Sequence, residues 1–183
     1  MVDLGDSSAA ETLPEYLRPG LDIIFAGYNP GERSAMLGHY YAGFGNLFWP
    51  LLYESGLTPV PLSFGEDRRI LEFNYGLTDL VKRPSRSSAD LRPEEMRRGA
   101  GELEAKLMRY QPRIVCFNGK GVYEHFRGGQ PCELGGQAEL IGRSKAFVIP
   151  STSARNGRVG RERKLEFFRD LRRRLLELKQ AAA

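Results

Sequence analysis

Three loops of this 183-residue sequence carry side chains suited to chemistry on a polar ligand. The first is the turn GYNPG, in which glycine and proline on both sides hold the amide of Asn29 in place. The second follows an apolar segment that contains the carboxylate Asp79, and the third begins at Ser151 and includes Arg155. Together with the aromatic run at 39–41, these groups suit binding of a nucleobase better than transfer of phosphate.

Several familiar kinds of site are missing from the sequence. Cys116 and Cys132 have no CxxC partners, which argues against a zinc site, an iron–sulfur cluster or a disulfide framework. The motifs GxSxG, GxxxxGK[ST] and GxGxxG do not occur. No apolar run approaches the roughly 20 residues that span a membrane. We therefore expect no metal, no cofactor and no membrane partner.

Apolar runs and helical periodicities predict the elements that position these loops. Strands are predicted at 21–27, 77–81, 113–118 and 146–150, and helices at 46–55, 66–73, 93–110, 121–126 and 162–179. Alternating strands and helices indicate a three-layer α/β fold, with a central, mainly parallel sheet and helices on both faces. Ligands of such sheets bind at the carboxyl ends of the strands, so the three loops should meet in one crevice. We expect a flexible N-terminal segment at 1–12 and a single domain at 13–180.

The charge is unevenly distributed along the chain. The whole sequence has 27 basic and 23 acidic residues, a net charge of +4. Between Arg155 and Lys179 there are ten basic and four acidic residues, so this stretch alone carries +6. It is interpreted either as a surface for phosphate groups, at least as far as Arg163, or as the solvated face of an arginine-rich helix. No basic-then-apolar signal segment begins the sequence, so we expect a cytoplasmic, bacterial-type protein associated with nucleoid DNA.

At these loops the sequence resembles the mismatch-specific uracil-DNA glycosylase and thymine-DNA glycosylase family, within the uracil-DNA glycosylase superfamily. The first family motif, G-[IV]-N-P-G, is seen at 27–31 with Tyr28 at the variable place, and the second is seen at 149–155 as IPSTSAR. Further similar segments lie between them in family order, at 38–41, 45–49, 76–81 and 113–120. The resemblance covers about residues 13–179.

The resemblance implies a uracil-DNA glycosylase-like fold and hydrolysis of an N-glycosidic bond after the base is flipped out of the helix. Asn29 would position the water, Tyr41 would stack on the base, and Arg155 would fill the gap left by the flipped nucleotide. The candidate catalytic residues are Asn29 and Asp79, and the candidate base-binding residues are Tyr28, Tyr41 and His39. The candidate DNA-binding residues are Arg155, Ser151, Ser153, Ala154, Lys120 and Arg158.

Each of these roles has a structural alternative. Asn29 and the motif-two serines could cap turns, and Arg155 could be one more cation of the basic stretch. His39 and Tyr40 could serve in packing, because neighbouring aromatic residues cannot all face one pocket. Asn46 is expected to cap the helix that follows it.

Two features depart from the family pattern. Motif two lacks the histidine that stabilises the base anion in other branches, so we expect backbone amides near Tyr28 and Tyr41 to take that role. Asp79 stands where the family has a neutral amide or a lysine. Burial would raise its pKa toward neutrality, so we hypothesise that Asp79 supplements Asn29 as a general base. The alternative is a salt bridge to Lys82 or Arg83.

The predicted function is that of a monofunctional, mismatch-specific glycosylase that starts base excision repair of damaged DNA. Its substrate would be double-stranded DNA with uracil, or thymine and other modified pyrimidines, opposite guanine. We expect a monomer, with no lysine placed in the motif loops to form a Schiff base. Two other classes remain open: a non-catalytic nucleic-acid-binding module on the same fold, and a hydrolase of small nucleosides.

Overall fold

The computed structural model describes residues 12–182, which form five strands and five α-helices. The strands are β1 (Ile23–Gly27), β2 (Tyr75–Asp79), β3 (Ile114–Asn118), β4 (Gly135–Ile141) and β5 (Ser144–Ile149). The helices are α1 (Glu32–Leu37), α2 (Phe48–Glu54), α3 (Pro93–Tyr110), α4 (Lys120–Phe126) and α5 (Arg161–Ala181), with 3₁₀ helices at Phe64–Phe73 and Ser88–Asp90. Among the described residues, no helix has the length and apolar composition that crossing a membrane requires.

All five strands belong to one sheet, in the order β2–β1–β3–β5–β4. The first four are parallel, and β4 pairs with β5 in the antiparallel sense. Within the sheet, β2 lies next to one edge of β1, and β3 lies next to its other edge. The carboxyl end of β1 is therefore the switch point of the sheet, where α/β proteins bind their ligands.

Successive residues of each parallel strand enter hydrophobic cores on opposite faces of the sheet. Ile23 and Phe25 of β1 pack with α2 and α5, whereas Ile24 and Ala26 pack with α3 and α4. A strand shows this alternation because its side chains point to the two faces in turn. With helices on both faces the strands are buried on both sides, which explains why they read as continuous apolar runs. The predicted three-layer α/β fold is thus confirmed.

The longest helix follows the periodicity seen in the sequence. In α5, Leu165, Phe168, Leu171 and Leu175 are buried, and Leu178 packs at the edge of the same core. Its arginines lie on the opposite, solvent-facing side. Burial of this stripe is the main force that holds α5 on the sheet.

The structure differs from the predicted elements in several places. It adds α1, β4 and the 3₁₀ helix Ser88–Asp90, and it forms a 3₁₀ helix at Phe64–Phe73 where a helix was predicted at 66–73. It also places β2 at Tyr75–Asp79 rather than at 77–81. The early start depends on Gly76, where a side chain would lie 2.5 Å from the backbone oxygen of Tyr16. Except for Thr12, the segment predicted to be flexible lies outside the described residues.

Candidate active site

An open cavity of about 1310 Å³ lies at the carboxyl ends of β1, β2, β3 and β5. Its walls include the three loops that the sequence predicted to meet. Every candidate residue except His39 lines it, namely Tyr28, Asn29, Tyr41, Asp79, Lys120, Ser151, Ser153, Ala154, Arg155 and Arg158. This volume exceeds that of most small-molecule pockets, which suits a large substrate that only partly enters.

The side-chain amide of Asn29 is fixed by the loop that follows β2. Its Nδ2 donates to the backbone oxygen of Arg83 at 2.9 Å, to Ser85 Oγ at 2.8 Å and to the backbone oxygen of Pro30 at 3.3 Å. The Ser85 hydroxyl donates its own proton to the backbone oxygen of Ser87 at 2.7 Å, so towards Asn29 it can only accept. The two loops are also joined through their backbones, because the Ser85 amide donates to the oxygen of Pro30 at 3.1 Å.

These contacts determine which end of the amide is available to a ligand. Every group around Asn29 Nδ2 is an acceptor, so only the NH₂ end of the side chain fits there. Oδ1 is consequently left to accept a hydrogen bond within the cavity. An amide oxygen is a very weak base, so Asn29 can orient a water molecule without deprotonating it. Ser85, which sequence reasoning did not single out, is the one side chain among the three acceptors that hold this orientation.

Asp79 is the last residue of β2 and lies opposite Gly27 in the parallel register with β1. Its side chain is buried, and Oδ2 has no hydrogen-bond partner among the described residues. Burial raises the pKa of the Asp79 carboxyl to about 6, although Lys82 partly opposes the shift. A buried polar atom without a partner calls for an explanation, and a ligand or water in the cavity would supply one.

The two cations proposed as salt-bridge partners of Asp79 are paired with other carboxylates. Lys82 Nζ lies 2.7 Å from Glu15 Oε1, and Arg83 Nε lies 2.6 Å from Glu95 Oε1. The predicted alternative of a salt bridge from Asp79 to Lys82 or Arg83 is therefore wrong. Its carboxylate faces the cavity without a cation bound to it, an arrangement that stabilises the fold poorly and is found mainly at functional sites.

The first glycine of the GYNPG turn has a steric role. A side chain at Gly27 would lie 2.5 Å from Asp79 Oδ1 and 3.4 Å from the hydroxyl oxygen of Tyr41. Only glycine lets both polar groups approach the end of β1 this closely. The turn, the carboxylate and the tyrosine are thus assembled around one backbone position.

Tyr41 lines the cavity next to this position. One face of its ring is stacked on Phe48, with centroids 4.0 Å apart and planes 26° from parallel. Its backbone has φ +54°, a left-handed conformation that is rare for a bulky side chain and typical of functional sites. Its hydroxyl and that of Tyr40 are buried, and the Tyr41 hydroxyl lies near the side-chain amide of Asn118. Burial and the nearby Asp79 raise the pKa of the Tyr41 hydroxyl, so it stays protonated and can donate.

Tyr28 is anchored by its hydroxyl to residues of α3 and α4 that lie outside the cavity lining. The oxygen lies 2.7 Å from His125 Nδ1 and 3.4 Å from Met96 Sδ. Burial raises the pKa of Tyr28 to about 12. Its ring passes so close to Gly121 that a side chain there would lie 3.3 Å from it. The hydroxyl is therefore used in packing, and only the ring and backbone of Tyr28 face the cavity.

His39 does not line the cavity, in contrast to the prediction that it binds the base. Its Nδ1 lies 3.2 Å from Oδ1 of the buried Asp67, which also accepts hydrogen bonds from the Tyr16 hydroxyl and the Tyr40 backbone. His39 thus serves in packing, the alternative that the sequence left open.

The motif-two loop is attached to the end of β3 and to the start of α2. Asn118 Nδ2 donates to Thr152 Oγ1, and the Thr152 amide donates to Asn118 Oδ1, both at 2.9 Å. The backbone oxygen of Thr152 accepts from the Leu47 amide at 3.0 Å. This reciprocal amide pair, which sequence reasoning missed, fixes the loop before its exposed part begins.

The two motif-two serines cap successive turns of the loop. Ser151 Oγ accepts from the Ser153 amide at 3.4 Å, and Ser153 Oγ accepts from the Arg155 amide at 3.3 Å. In both bonds the hydroxyl is the acceptor, so each keeps its own proton for a further acceptor such as a phosphate oxygen. The capping role and the predicted DNA-binding role are therefore compatible.

Arg155 reaches across the mouth of the cavity. It is exposed, and its guanidinium donates to the backbone oxygen of Arg86 on the loop after β2. The cationic side chains lining the cavity are Arg33, Arg86, Lys120, Arg155 and Arg158, against the acidic Glu32 and Asp79. Because Asp79 is buried, the outer rim is predominantly positive, as expected for a surface that meets a polyanion.

The arginines of α5 mostly pair with acidic residues. Arg163 contacts Glu166, and Arg173 contacts both Asp170 and Glu177. Arg161 contacts Glu54 on α2. Of the basic stretch, only Arg155 and Arg158 line the cavity. The arginines of α5 lie on its solvent-exposed face, whereas Lys164 is buried and donates to the backbone oxygen of Asn156 at 3.0 Å.

Comparison with known proteins shows the family to which the chain belongs. The family model of the uracil DNA glycosylase superfamily matches residues 14–175. A solution NMR structure from Methanosarcina acetivorans, provisionally described as a uracil DNA glycosylase, is similar at a TM-score of 0.60 and 25% sequence identity. The match covers 89% of this chain and 98% of that chain. With most of its length matched by the family model, this chain belongs to the uracil DNA glycosylase superfamily.

Proposed function

We propose that this protein is a monofunctional DNA glycosylase that flips uracil, and also thymine, out of mispairs with guanine and hydrolyses the N-glycosidic bond. The observation that carries the proposal is the orientation of Asn29, whose NH₂ end is held by three acceptors. A non-catalytic module would have no need of an amide oxygen fixed beside a buried, unpaired carboxylate.

In the proposed reaction the bond between C1′ of deoxyribose and N1 of uracil breaks, and N1 keeps the electron pair. Asn29 Oδ1 holds a water molecule against the sugar. The water oxygen bonds to C1′, and its proton passes to the Asp79 carboxylate. Asp79 is suited to receive it, because a pKa of about 6 leaves it ionised at neutral pH yet makes it a stronger base than an ordinary carboxylate. Uracil leaves as the N1 anion, for which we propose stabilisation by the backbone amides near Tyr28 and Tyr41.

The base itself would stack on the face of Tyr41 that Phe48 does not cover. Arg155 would leave its contact with Arg86 and enter the space vacated in the helix. A planar guanidinium can stack there and donate to the unpaired guanine, which supports the proposed preference for mismatches.

The proposal of monofunctional chemistry is supported by the position of Lys120, the only lysine lining the cavity in the described part of the chain. Its Nζ lies 4.0 Å from Glu133 Oε1, at the outer wall. A Schiff base would need a lysine directed at the sugar.

The experiment that tests the function is cleavage of labelled duplexes with U·G, T·G or U·A pairs and of single-stranded uracil DNA, at enzyme excess. We expect strand breaks in the U·G and T·G duplexes, and we expect them only after alkali treatment. Hydrolysis of the N-glycosidic bond leaves an abasic site in an intact backbone. Breaks without alkali would refute monofunctional chemistry, and no removal of any base would refute the glycosylase itself.

Replacing Ser85 by alanine should slow base removal about tenfold with little change in DNA affinity. The substitution removes one of the hydrogen bonds that orient Asn29, and one such bond contributes on the order of 1 kcal/mol. Single-turnover rates on a U·G duplex would measure the effect, and Ser85→Thr should restore the rate. Ser87→Ala is the matched control, because the Ser87 side chain caps a neighbouring turn without contacting Asn29. Equal rates for the two alanine variants would contradict the positioning role.

The charge distribution predicts which cations contact phosphate. The double variant Lys120→Gln/Arg158→Gln should make the slope of log affinity against log salt concentration less negative by about 2. Each lost phosphate contact contributes about 0.9 to the steepness of that slope. The matched variant Arg173→Gln/Arg174→Gln should keep the wild-type slope, because both arginines already pair with Asp170. Binding of a short U·G duplex over a range of salt concentrations measures both. The reverse ranking would place the DNA on α5 instead.

A further inference from the structure

Phe44 is the most exposed large apolar side chain in the described part of the protein, with 82% of its surface accessible. It lies between Gly43 and Gly45, so no neighbour in the sequence covers it. The next most exposed apolar side chain is that of Met36, at 74%. Both line the mouth of the active-site cavity, so the two most exposed large apolar side chains of residues 12–182 lie on the proposed DNA-binding face.

Backbone hydrogen bonds on both sides of Phe44 hold its loop in place. The Ala42 amide donates to Ser34 Oγ at 3.1 Å, and Arg33 Nε donates to the Ala42 oxygen at 2.8 Å. The Asn46 amide closes the turn by donating to the oxygen of Gly43 at 3.1 Å. The exposed ring is therefore presented from a fixed backbone.

Arg33 also supports the ring directly. Its guanidinium carbon lies 4.0 Å from the centre of the Phe44 ring, close enough for a cation–π contact. One face of the ring is thus covered by a cation, which leaves the other face for a flat partner. An aromatic ring held by a guanidinium in this way resembles the stacking platforms on which proteins bind unpaired bases.

The Phe44 loop lies directly beside the loop that carries Arg155. A side chain at Gly45 would lie 3.3 Å from Ala154 Cβ, and the next residues are joined by the Leu47–Thr152 hydrogen bond. Phe44 and Arg155 therefore belong to adjacent loops at one cavity mouth. The positive rim around them favours a partner that combines phosphate charge with flat apolar faces, as nucleic acid does.

We propose that Phe44 stacks on the base next to the flipped nucleotide, with Arg33 supporting the ring from behind. This inference rests on the proposed function and adds a second point of contact to it. Arg155 fills the space left by the flipped base, and Phe44 holds the neighbouring base that has lost its own stacking partner. Stacking of a base on an aromatic side chain is sequence-tolerant, so this contact would strengthen binding at damaged sites regardless of the flanking sequence.

The test measures binding to a duplex with a tetrahydrofuran abasic analogue opposite guanine, which holds the distorted site without any cleavage. Phe44→Ala should bind this duplex about tenfold more weakly than wild type. Phe44→Trp should bind as wild type does, and Phe44→Leu should be as weak as alanine because it is apolar but cannot stack. Leu140→Ala is the matched control, since Leu140 is a 51% exposed apolar residue of β4 outside the cavity.

A second measurement reports the contact itself. With 2-aminopurine beside the abasic analogue, wild type and Phe44→Trp should quench the fluorescence on one side of the lesion, and Phe44→Ala should not. Affinity of Phe44→Ala within twofold of wild type, or full retention of affinity by Phe44→Leu, would overturn the stacking proposal. In either case uracil removal by wild type would leave the proposed function standing. Failure of wild type to remove uracil would count against that function and remove the basis for the Phe44 contact.

Discussion

Replacing Asn29 by alanine should reduce the single-turnover rate of uracil removal about 10³-fold. The substitution removes the fixed acceptor for the attacking water, and loss of one preorganised polar group in an active site slows a reaction by about 10²–10³. It also leaves Ser85 Oγ and the Arg83 oxygen without their donor. Binding to a duplex with 2′-fluoro-deoxyuridine, in which cleavage is suppressed, should change by less than about threefold because Asn29 acts on the water.

Asn46 provides the control for this experiment. It is a second amide that lines the same cavity, but its Oδ1 accepts from the Phe48 amide at 3.0 Å at the start of α2, as predicted. Asn46→Ala should lower stability by about 1 kcal/mol, the usual effect of losing such a cap, and keep the rate within about threefold. An Asn29→Ala enzyme that retains more than a tenth of wild-type activity would disprove the water-positioning role.

The parts of the fold that were predicted from the sequence are those with strong local patterns. Strands β1, β3 and β5 are buried on both faces and read as apolar runs, and α3 and α5 are long enough for a helical period to be visible. β4 was missed because it is an edge strand whose residues are mostly exposed and form no apolar run, and α1 because it has only six residues. Neither buries enough apolar surface to leave a pattern.

The site was predictable at the level of loops and less so at the level of individual contacts. Parallel strands bring their carboxyl ends together, so the meeting of Asn29, Asp79 and the motif-two loop followed from topology. The contact of Ser85 with Asn29 joins residues 56 positions apart, and no local pattern encodes it. The position of His39 outside the cavity goes with its contact to the buried Asp67, 28 positions away in the chain, which no local pattern encodes either.

Asp79→Asn should lower the rate of uracil removal and raise the stability of the protein. The pH dependence of these two effects separates a catalytic from a structural role of Asp79. If Asp79 accepts the proton of the water, the wild-type rate should fall as the pH drops through about 6, where the carboxylate becomes protonated. Asp79→Asn should lose this acidic limb and be about 10²-fold slower above pH 7. Single-turnover rates from pH 4.5 to 8.5 measure the profile. A variant within twofold of wild type at pH 7.5, with the same acidic limb, would reject the general-base role.

The stability effect follows from the sign of the same pKa shift. The folded pKa of Asp79, about 6, lies above the ordinary value of 3.8, so the folded protein favours the protonated carboxyl. This contribution to stability is complete below about pH 4 and is lost as the pH rises through about 6. At pH 8 the buried carboxylate then costs about 3 kcal/mol, which asparagine would not, so Asp79→Asn should be more stable than wild type. The difference should disappear below about pH 4.

Asp67 shows why this result would be specific to the active site. It is an equally buried carboxylate, but it accepts hydrogen bonds from Tyr16 and from the Tyr40 backbone and contacts His39. Asp67→Asn places an amide against these donors and should lower stability by about 1–3 kcal/mol. Urea unfolding of both variants at pH 4 and pH 8 makes the comparison. If Asp79→Asn also destabilised the protein at pH 8, its carboxylate would be a structural group with a partner, and the general base would have to be found elsewhere.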